Sequence, residues 1–185
     1  MSNAQTHAAT VRLMAFDVDG VMTDGQLYFT GDGQESKAFH TLDGQGVKLL
    51  QMMGITPAII TGRHSGAVAV RAAGLGIEQV FQGVGDKRAC LEELLTRLGL
   101  SWRESGYMGD DLIDLAALAA CGFSAAPANA HAYVRARVDL VATAQGGAGA
   151  VREVCDFILA AQGKLDAALA VCTGVSPGVS LWDST

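Results

Sequence analysis

No stretch of this 185-residue sequence approaches the roughly 18 consecutive apolar residues that a membrane helix needs, so no spanning segment is expected. Its start does not join a basic region to an apolar stretch, so no signal peptide is expected and the cytoplasm is the expected compartment. The four cysteines, Cys90, Cys121, Cys155 and Cys172, show neither C-x-x-C nor metal-ligand spacing. That scatter argues for small apolar packing in a reducing compartment rather than disulfides or a thiolate metal site. Charge is also scarce. Only 17% of residues are Asp, Glu, Lys or Arg and the net charge is −6, so no basic stripe could screen phosphates and a nucleic-acid partner is excluded. Repeats, low-complexity tracts and charge runs are absent as well.

What is present is apolar. Half the residues are hydrophobic and 23 are Gly, a balance that suits a buried parallel sheet covered by helices. The length fits one domain and not two. An acidic protein that acts on an anion must concentrate its few cations locally, which draws attention to Lys37, Lys48, Arg63, Arg71 and Lys87.

Short apolar runs at 11–18, 56–61, 106–108, 122–125 and 138–142 read as buried strands. Helix-period segments fall between or after them, at about 44–53, 65–73, 86–98, 111–120, 128–137 and 148–162. Alternating strands and helices imply an α/β fold, a doubly wound parallel sheet (Rossmann-like). Residues 25–40 break the alternation: Leu27-Tyr28-Phe29, then Gly31-Asp32-Gly33, then Ala38-Phe39, the pattern of a β-hairpin. Following the first strand directly, it would project over the carboxyl end of the sheet, where such folds bind ligands, and act as a flap. Residues 1–9 are expected to be disordered or tag-derived, 10–165 to form the domain, and 166–185 to be a flexible tail.

Asp17-Val18-Asp19 stands where the first strand stops, and side chains two apart on a strand share a side. Two carboxylates so placed are costly unless one is protonated or a cation lies between them, and Mg²⁺ suits oxygen ligands. Alone, such a pair is more often a solvated turn than a metal site. Three further pieces count against that. Thr61-Gly62-Arg63 puts a hydroxyl at the same edge, although Thr61 could equally cap the next helix. Asp86-Lys87 opens a helix with a lysine that the helix dipole disfavours there but that could reach a phosphate. Gly109-Asp110-Asp111-Leu112-Ile113-Asp114 gathers more acids than capping needs.

In this order, D-x-D, T-G-R, D-K and G-D-D-x-x-D resemble the four motifs of the haloacid dehalogenase superfamily of phosphohydrolases. FDVDGVMTDG followed by a hairpin rather than a cap domain, then FHTLDGQGVKLL, ITGR, GVGDK, YMGDDLIDL and GGAGAVREVCDFIL, resembles its 3-deoxy-D-manno-octulosonate 8-phosphate (KDO 8-phosphate) phosphatase family, over residues 11 to about 165. The resemblance implies a Mg²⁺-dependent phosphatase acting on a phosphorylated keto-acid sugar in lipopolysaccharide precursor synthesis. Asp17 would be the nucleophile and Asp19 the general acid and base. Asp17, Asp110 and the Asp19 carbonyl would hold Mg²⁺, Thr61 and Lys87 the phosphoryl oxygens, and Asp111 and Asp114 would orient magnesium waters or Lys87 from behind. For the sugar it implies His40, Thr41, Leu42, Asp43, Gly44, Lys48, Arg63 and Arg71, with Asp19 and Lys87. Many relatives carry an Arg where Leu42 stands, which leaves open another keto-acid sugar phosphate of the KDN 9-phosphate type. Capless members form homotetramers in which each hairpin and tail reaches a neighbour's site. A response-regulator receiver domain would carry its acidic pair and lysine in a different chain order. A non-catalytic phosphatase-like oligomerisation domain would have lost an Asp of D-x-D.

Overall fold

Leu13, Met14, Ala15 and Phe16 have no exposed surface, which is why the first strand reads as one apolar run instead of alternating. Leu13 and Ala15 face one side of the sheet, and Met14 and Phe16 the other. The computed structural model describes residues 3–174. In chain order its elements are α1 (Asn3–Ala8), β1 (Leu13–Phe16), β2 (Tyr28–Phe29), β3 (Glu35–Ser36), α2 (Thr41–Met52), β4 (Thr56–Ile60), α3 (Gly66–Leu75) and β5 (Gln79–Phe81). They continue with α4 (Lys87–Leu98), β6 (Ser105–Met108), α5 (Leu115–Ala120), β7 (Phe123–Ala126), α6 (Ala132–Arg135), β8 (Leu140–Val141), α7 (Ala150–Ala161) and α8 (Leu165–Thr173).

Six strands form one parallel sheet in the order β5, β4, β1, β6, β7, β8, and β2 pairs antiparallel with β3 in the separate hairpin. The chain runs outward from β1 through β4 to β5, then crosses back to β6 on the other side. β1 is therefore the switch point, and the crevice beyond the carboxyl ends of β4, β1 and β6 is where this topology places a ligand. The α/β doubly wound expectation holds.

The helices form because their apolar stripes have a sheet face to cover. In α7, Val151, Val154, Cys155, Ile158 and Leu159 follow the i, i+3, i+4 spacing and are fully buried on the Met14 and Phe16 side. In α4, Leu91, Leu94 and Leu95 do the same on the Leu13 and Ala15 side. Each such side chain contributes roughly 1.5–3 kcal/mol of burial, enough to override local propensity. Asp86 caps α4 by accepting from the Ala89 amide at 3.0 Å, and Gly99 ends it in the left-handed region.

Several expectations are corrected. The sequence pattern misses β5, a half-buried edge strand of three residues. The helix expected over 128–137 shortens to α6, and the one over 111–120 opens with a 3₁₀ turn at Leu112–Asp114 before α5. Residues 3–8, expected to be disordered, form α1. Ala8 is buried, Gln162 Nε2 donates to the carbonyls of Ala8 and Val11, and His7 pairs with Asp139 at 3.0 Å. The expected tail begins as α8, while residues 175–185 lie outside the described residues. Cys172 is exposed rather than packed.

Candidate active site

The ends of three adjacent strands supply the site. The Asp17 amide, one residue past β1, donates to the Met108 carbonyl at 3.0 Å, and the Thr61 amide, one past β4, donates to the Phe81 carbonyl at 2.9 Å. Main-chain pairing thus fixes where both side chains start. Asp17, Asp19, Thr61, Arg63, Asp110 and Asp111, with Gly25, Gly62 and Ile113, line a cleft of about 250 Å³ beyond these ends. Asp17 and Thr61 are nearly buried, at 4% and 2% exposure, so the cleft floor is dry.

Beneath the floor is a buried hub. Lys87, at the first position of α4 and 3% exposed, places Nζ 3.1 Å from Asp17 Oδ1 and donates to Asp114 Oδ1 at 2.6 Å. Asp114, fully buried, also accepts from the Tyr107 hydroxyl at 2.9 Å on Oδ1 and from the amides of Asp110 and Asp111 at 3.1 and 3.2 Å on Oδ2. It orients the lysine and fixes the turn that presents Asp110. Burial disfavours the Lys87 ammonium, but Asp17 and Asp114 outweigh that and raise its pKa, so it stays charged.

No known protein-family model matches the chain. It is 44% identical over 167 residues to 3-deoxy-D-manno-octulosonate 8-phosphate phosphatase of Salmonella typhi, covering 90% of this chain and 89% of that one. It is 46% identical over 169 residues to the Yersinia pestis enzyme of the same name, covering 91% and 88%. The chain belongs to the KDO 8-phosphate phosphatase family. A crystal structure of the Moraxella catarrhalis phosphatase in complex with a magnesium ion, a phosphate ion and a KDO molecule superposes with a TM-score of 0.91 at 43% identity, covering 94% of this chain and 99% of that one. The cobalt-bound form from Haemophilus influenzae gives 0.84 at 42% identity, covering 86% and 94%.

Among the described residues, a divalent cation fits this member of the KDO 8-phosphate phosphatase family where three carboxylates meet. Oxygens of Asp17, Asp110 and Asp114 lie within 4.8 Å of one another. Asp114 has both oxygens engaged by the hub, whereas Asp110 Oδ1 is buried and without a partner. The two carboxylates left to hold an ion are therefore Asp17 and Asp110. Gly20 makes room beside them: its φ is +88°, and a Cβ there would lie 2.1 Å from Asp110 Oδ2. Burial, then the charge of Asp114, pushes the Asp17 carboxyl up to about 6. Burial, then Asp17, Asp114 and Asp111, pushes Asp110 up to about 7. Both shifts mark a space arranged for a positive charge.

The segment expected to hold the sugar lies elsewhere in its own chain. None of His40, Thr41, Leu42, Asp43, Gly44, Lys48 or Arg71 lines the cleft; Arg63 does. Asp43 is buried and accepts from the Arg152 amide at 2.9 Å, tying α2 to the start of α7. Arg71 donates to the His40 carbonyl at 2.9 Å and lies over the Phe39 ring, 5.7 Å from its centroid. Gly44 is needed for that approach, because a Cβ would meet Arg71 Nη2 at 2.3 Å. Asp43, Gly44 and Arg71 make these internal contacts while His40 Nδ1 and Arg71 Nε are buried without a hydrogen-bond partner, and Thr41, Leu42 and Lys48 are exposed. Sequence reasoning noted Lys37 only as a cation and passed over Glu35. Lys37 reaches from the hairpin to Asp19 and Glu35 pairs with Lys37 at 3.2 Å, and their i, i+2 spacing was the available signal.

Proposed function

We propose that the chain hydrolyses KDO 8-phosphate to KDO and phosphate with Mg²⁺, as a step in lipopolysaccharide precursor synthesis. The observation that carries this reading is the convergence of Asp17, Asp19, Thr61 and Asp110 on one strand-end cleft, with Lys87 beneath its floor 3.1 Å from Asp17, in a chain of this family. Asp17, Asp110 and the Asp19 carbonyl would hold Mg²⁺, which neutralises the carboxylates and the phosphoryl oxygens that approach them. An Asp17 oxygen attacks phosphorus and the bond to the sugar oxygen breaks, with Asp19 giving that oxygen its proton. Asp19 then takes a proton from water, which attacks the aspartyl phosphate and frees phosphate and Asp17. Thr61 and Lys87 hold the non-bridging oxygens, where charge spreads in the transition state. Asp114 holds Lys87 and the Asp110 turn in place, and Asp111 supports the turn that follows by accepting from the Leu112 amide.

A panel of sugar phosphates tests the assignment: kcat/KM on KDO 8-phosphate should exceed that on a neutral hexose phosphate by about 10²-fold or more. A higher value on the hexose phosphate would sink the keto-acid reading. Leu42, 53% exposed where many relatives carry a cation, makes a nine-carbon keto-acid phosphate the competitor to include in the panel. Leu27, Tyr28 and Phe29, at 47%, 43% and 59% exposure, support the homotetramer, in which a neighbour would cover them and the exposed Thr41 and Lys48 would face a neighbour's site. The absence of disulfides among the described residues is in keeping with a cytoplasmic location.

The raised carboxyls give a pH prediction. Both must lose protons to hold the ion, so Mg²⁺ affinity should fall as pH drops through about 7 and then about 6. The expected slope is about tenfold per pH unit for each proton displaced. Without metal, the same carboxyls contribute stability that is present below about pH 4 and lost as pH rises through about 6 and 7. Mg²⁺ should therefore stabilise the protein most at about pH 8. Calorimetric titration in two buffers of different ionisation enthalpy counts the protons released, and a pH-independent affinity would contradict the site.

A further inference from the structure

Lys37 is an anomaly of the hairpin. The residues on either side of it, Ser36 and Ala38, are exposed, as are Tyr28 and Phe29 across the turn, yet the Lys37 side chain is 1% exposed. Burying an ammonium costs several kcal/mol unless carboxylates compensate it. Two do. Glu35 Oε1, on the same face of the hairpin, lies 3.2 Å from Nζ, and Nζ also donates to Asp19 Oδ1 across the cleft. Arg63 completes a ring of four charges, donating to Glu35 Oε1 at 2.8 Å and placing Nε 3.6 Å from Asp19 Oδ2. The hairpin's own carboxylate would hold one bond of the lysine, but the second ties the flap to the side chain that must reach the leaving oxygen.

The geometry points to Lys37 as the positioning residue for Asp19: with Glu35 behind it, it holds the Asp19 carboxyl toward the leaving-group side of the cleft. The assignment rests on the proposed role of Asp19 as proton donor. An Asp side chain at a strand end has several open rotamers, and proton transfer to a sugar oxygen needs one of them. Lys37 restricts Asp19 to one rotamer without touching the phosphoryl group, which Asp17, Thr61 and Lys87 handle. Arg63 alone would be a weak substitute, since its side chain is 45% exposed and its contact to Asp19 is long. Glu35 in turn keeps both cations aimed, so its loss should loosen the same rotamer less severely.

The leaving group separates this role from simple anchoring of the flap. A sugar alkoxide needs a proton to depart, whereas p-nitrophenolate leaves without one. In full-length protein with saturating Mg²⁺, Lys37→Met should lower kcat on KDO 8-phosphate by about 10²-fold, the usual worth of a placed proton donor. On p-nitrophenyl phosphate the first half-reaction, read as the pre-steady-state burst of p-nitrophenolate, should change less than about threefold, because that leaving group needs no proton. The later hydrolysis of the aspartyl phosphate uses Asp19 as base and should slow on both substrates. Lys37→Arg should recover part of the loss, and Glu35→Gln should show a smaller loss with the same selectivity. In the Asp19→Asn background, Lys37→Met should add nothing, because the two act as one unit. An equal loss on both substrates in the first half-reaction, measured as the rate of leaving-group release in a single turnover, or a loss that adds to that of Asp19→Asn, overturns the proposal in favour of a structural role. Unchanged kcat on KDO 8-phosphate overturns it too. The wild type separates this from the substrate assignment: if it leaves KDO 8-phosphate intact yet cleaves other alkyl phosphates, that assignment falls and the ratio for Lys37 is read on the best alkyl phosphate.

Discussion

Asp17→Asn should reduce Mg²⁺-dependent phosphate release by at least about 10⁴-fold, the scale on which loss of a covalent nucleophile is felt. An amide cannot form the acyl phosphate, and the change also removes one of two carboxylates left to hold the ion. The fold should survive it. Asn fills nearly the same volume, and Lys87 keeps its 2.6 Å bond to Asp114. Without metal at about pH 8, the variant should unfold no more easily than wild type, because the lost carboxyl was one that burial and Asp114 had pushed up to about 6. The stabilisation that Mg²⁺ confers on wild type should largely vanish. Phosphate release with and without chelator, beside thermal unfolding in the same buffers, gives all three values. Full turnover in the variant with metal chelated would refute the mechanism.

Asp114→Ala should be the most damaging substitution for stability among the site residues, at about 3–5 kcal/mol. Its carboxylate receives four donors: the Lys87 ammonium, the Tyr107 hydroxyl and the amides of Asp110 and Asp111. Removing it takes the side-chain acceptor from two amides, leaves the Lys87 ammonium with Asp17 alone and leaves the Tyr107 hydroxyl with only a 3.5 Å contact to the Ile60 carbonyl, and each loss exacts a cost at or near the buried hub. One effect opposes this, because Asp114 also repels Asp17 and Asp110. With Mg²⁺ bound that repulsion is already compensated, so the loss of four donors wins. Urea unfolding at saturating Mg²⁺ measures the sum. Asp114→Asn, which keeps an acceptor but adds an unwanted donor, should fall between wild type and Ala. A change below about 1 kcal/mol for Asp114→Ala would show that the hub is not holding the Asp110 turn.

The central strands and the strand-end motifs were legible because one physical fact produced both. Strands buried on both faces are continuous apolar runs, and in a parallel sheet the first polar residue after each run stands at the ligand crevice. Asp17, Thr61 and Asp110 all occupy that kind of position. What stayed hidden depends on contacts between distant segments. The helix α1 persists because α7 lies beside it, with Gln162 binding its last carbonyl. Asp43 and Arg71 look like surface charges on helices, but burial against α7 and the His40 carbonyl turns them into struts. Lys37 could be counted in the sequence, but its burial could not, since that requires knowing how far the hairpin folds down over Asp19.

The pairing of β1 with β6 matches Phe16 with Met108, and the chain reaches Asp17 one residue later on one strand and Asp110 two residues later on the other. Neighbouring strands lie about 4.8 Å apart, whatever their sequence. The main chain therefore sets how far apart the two chains leave the sheet, and Asp114, which accepts from the Asp110 amide, holds the second carboxylate to that spacing. The proposed ligands are two carboxylates and one carbonyl, so a cation content with few protein ligands and a shell of water, like Mg²⁺, suits the gap. Ca²⁺, which prefers six to eight oxygens, would have to recruit most of them from solvent.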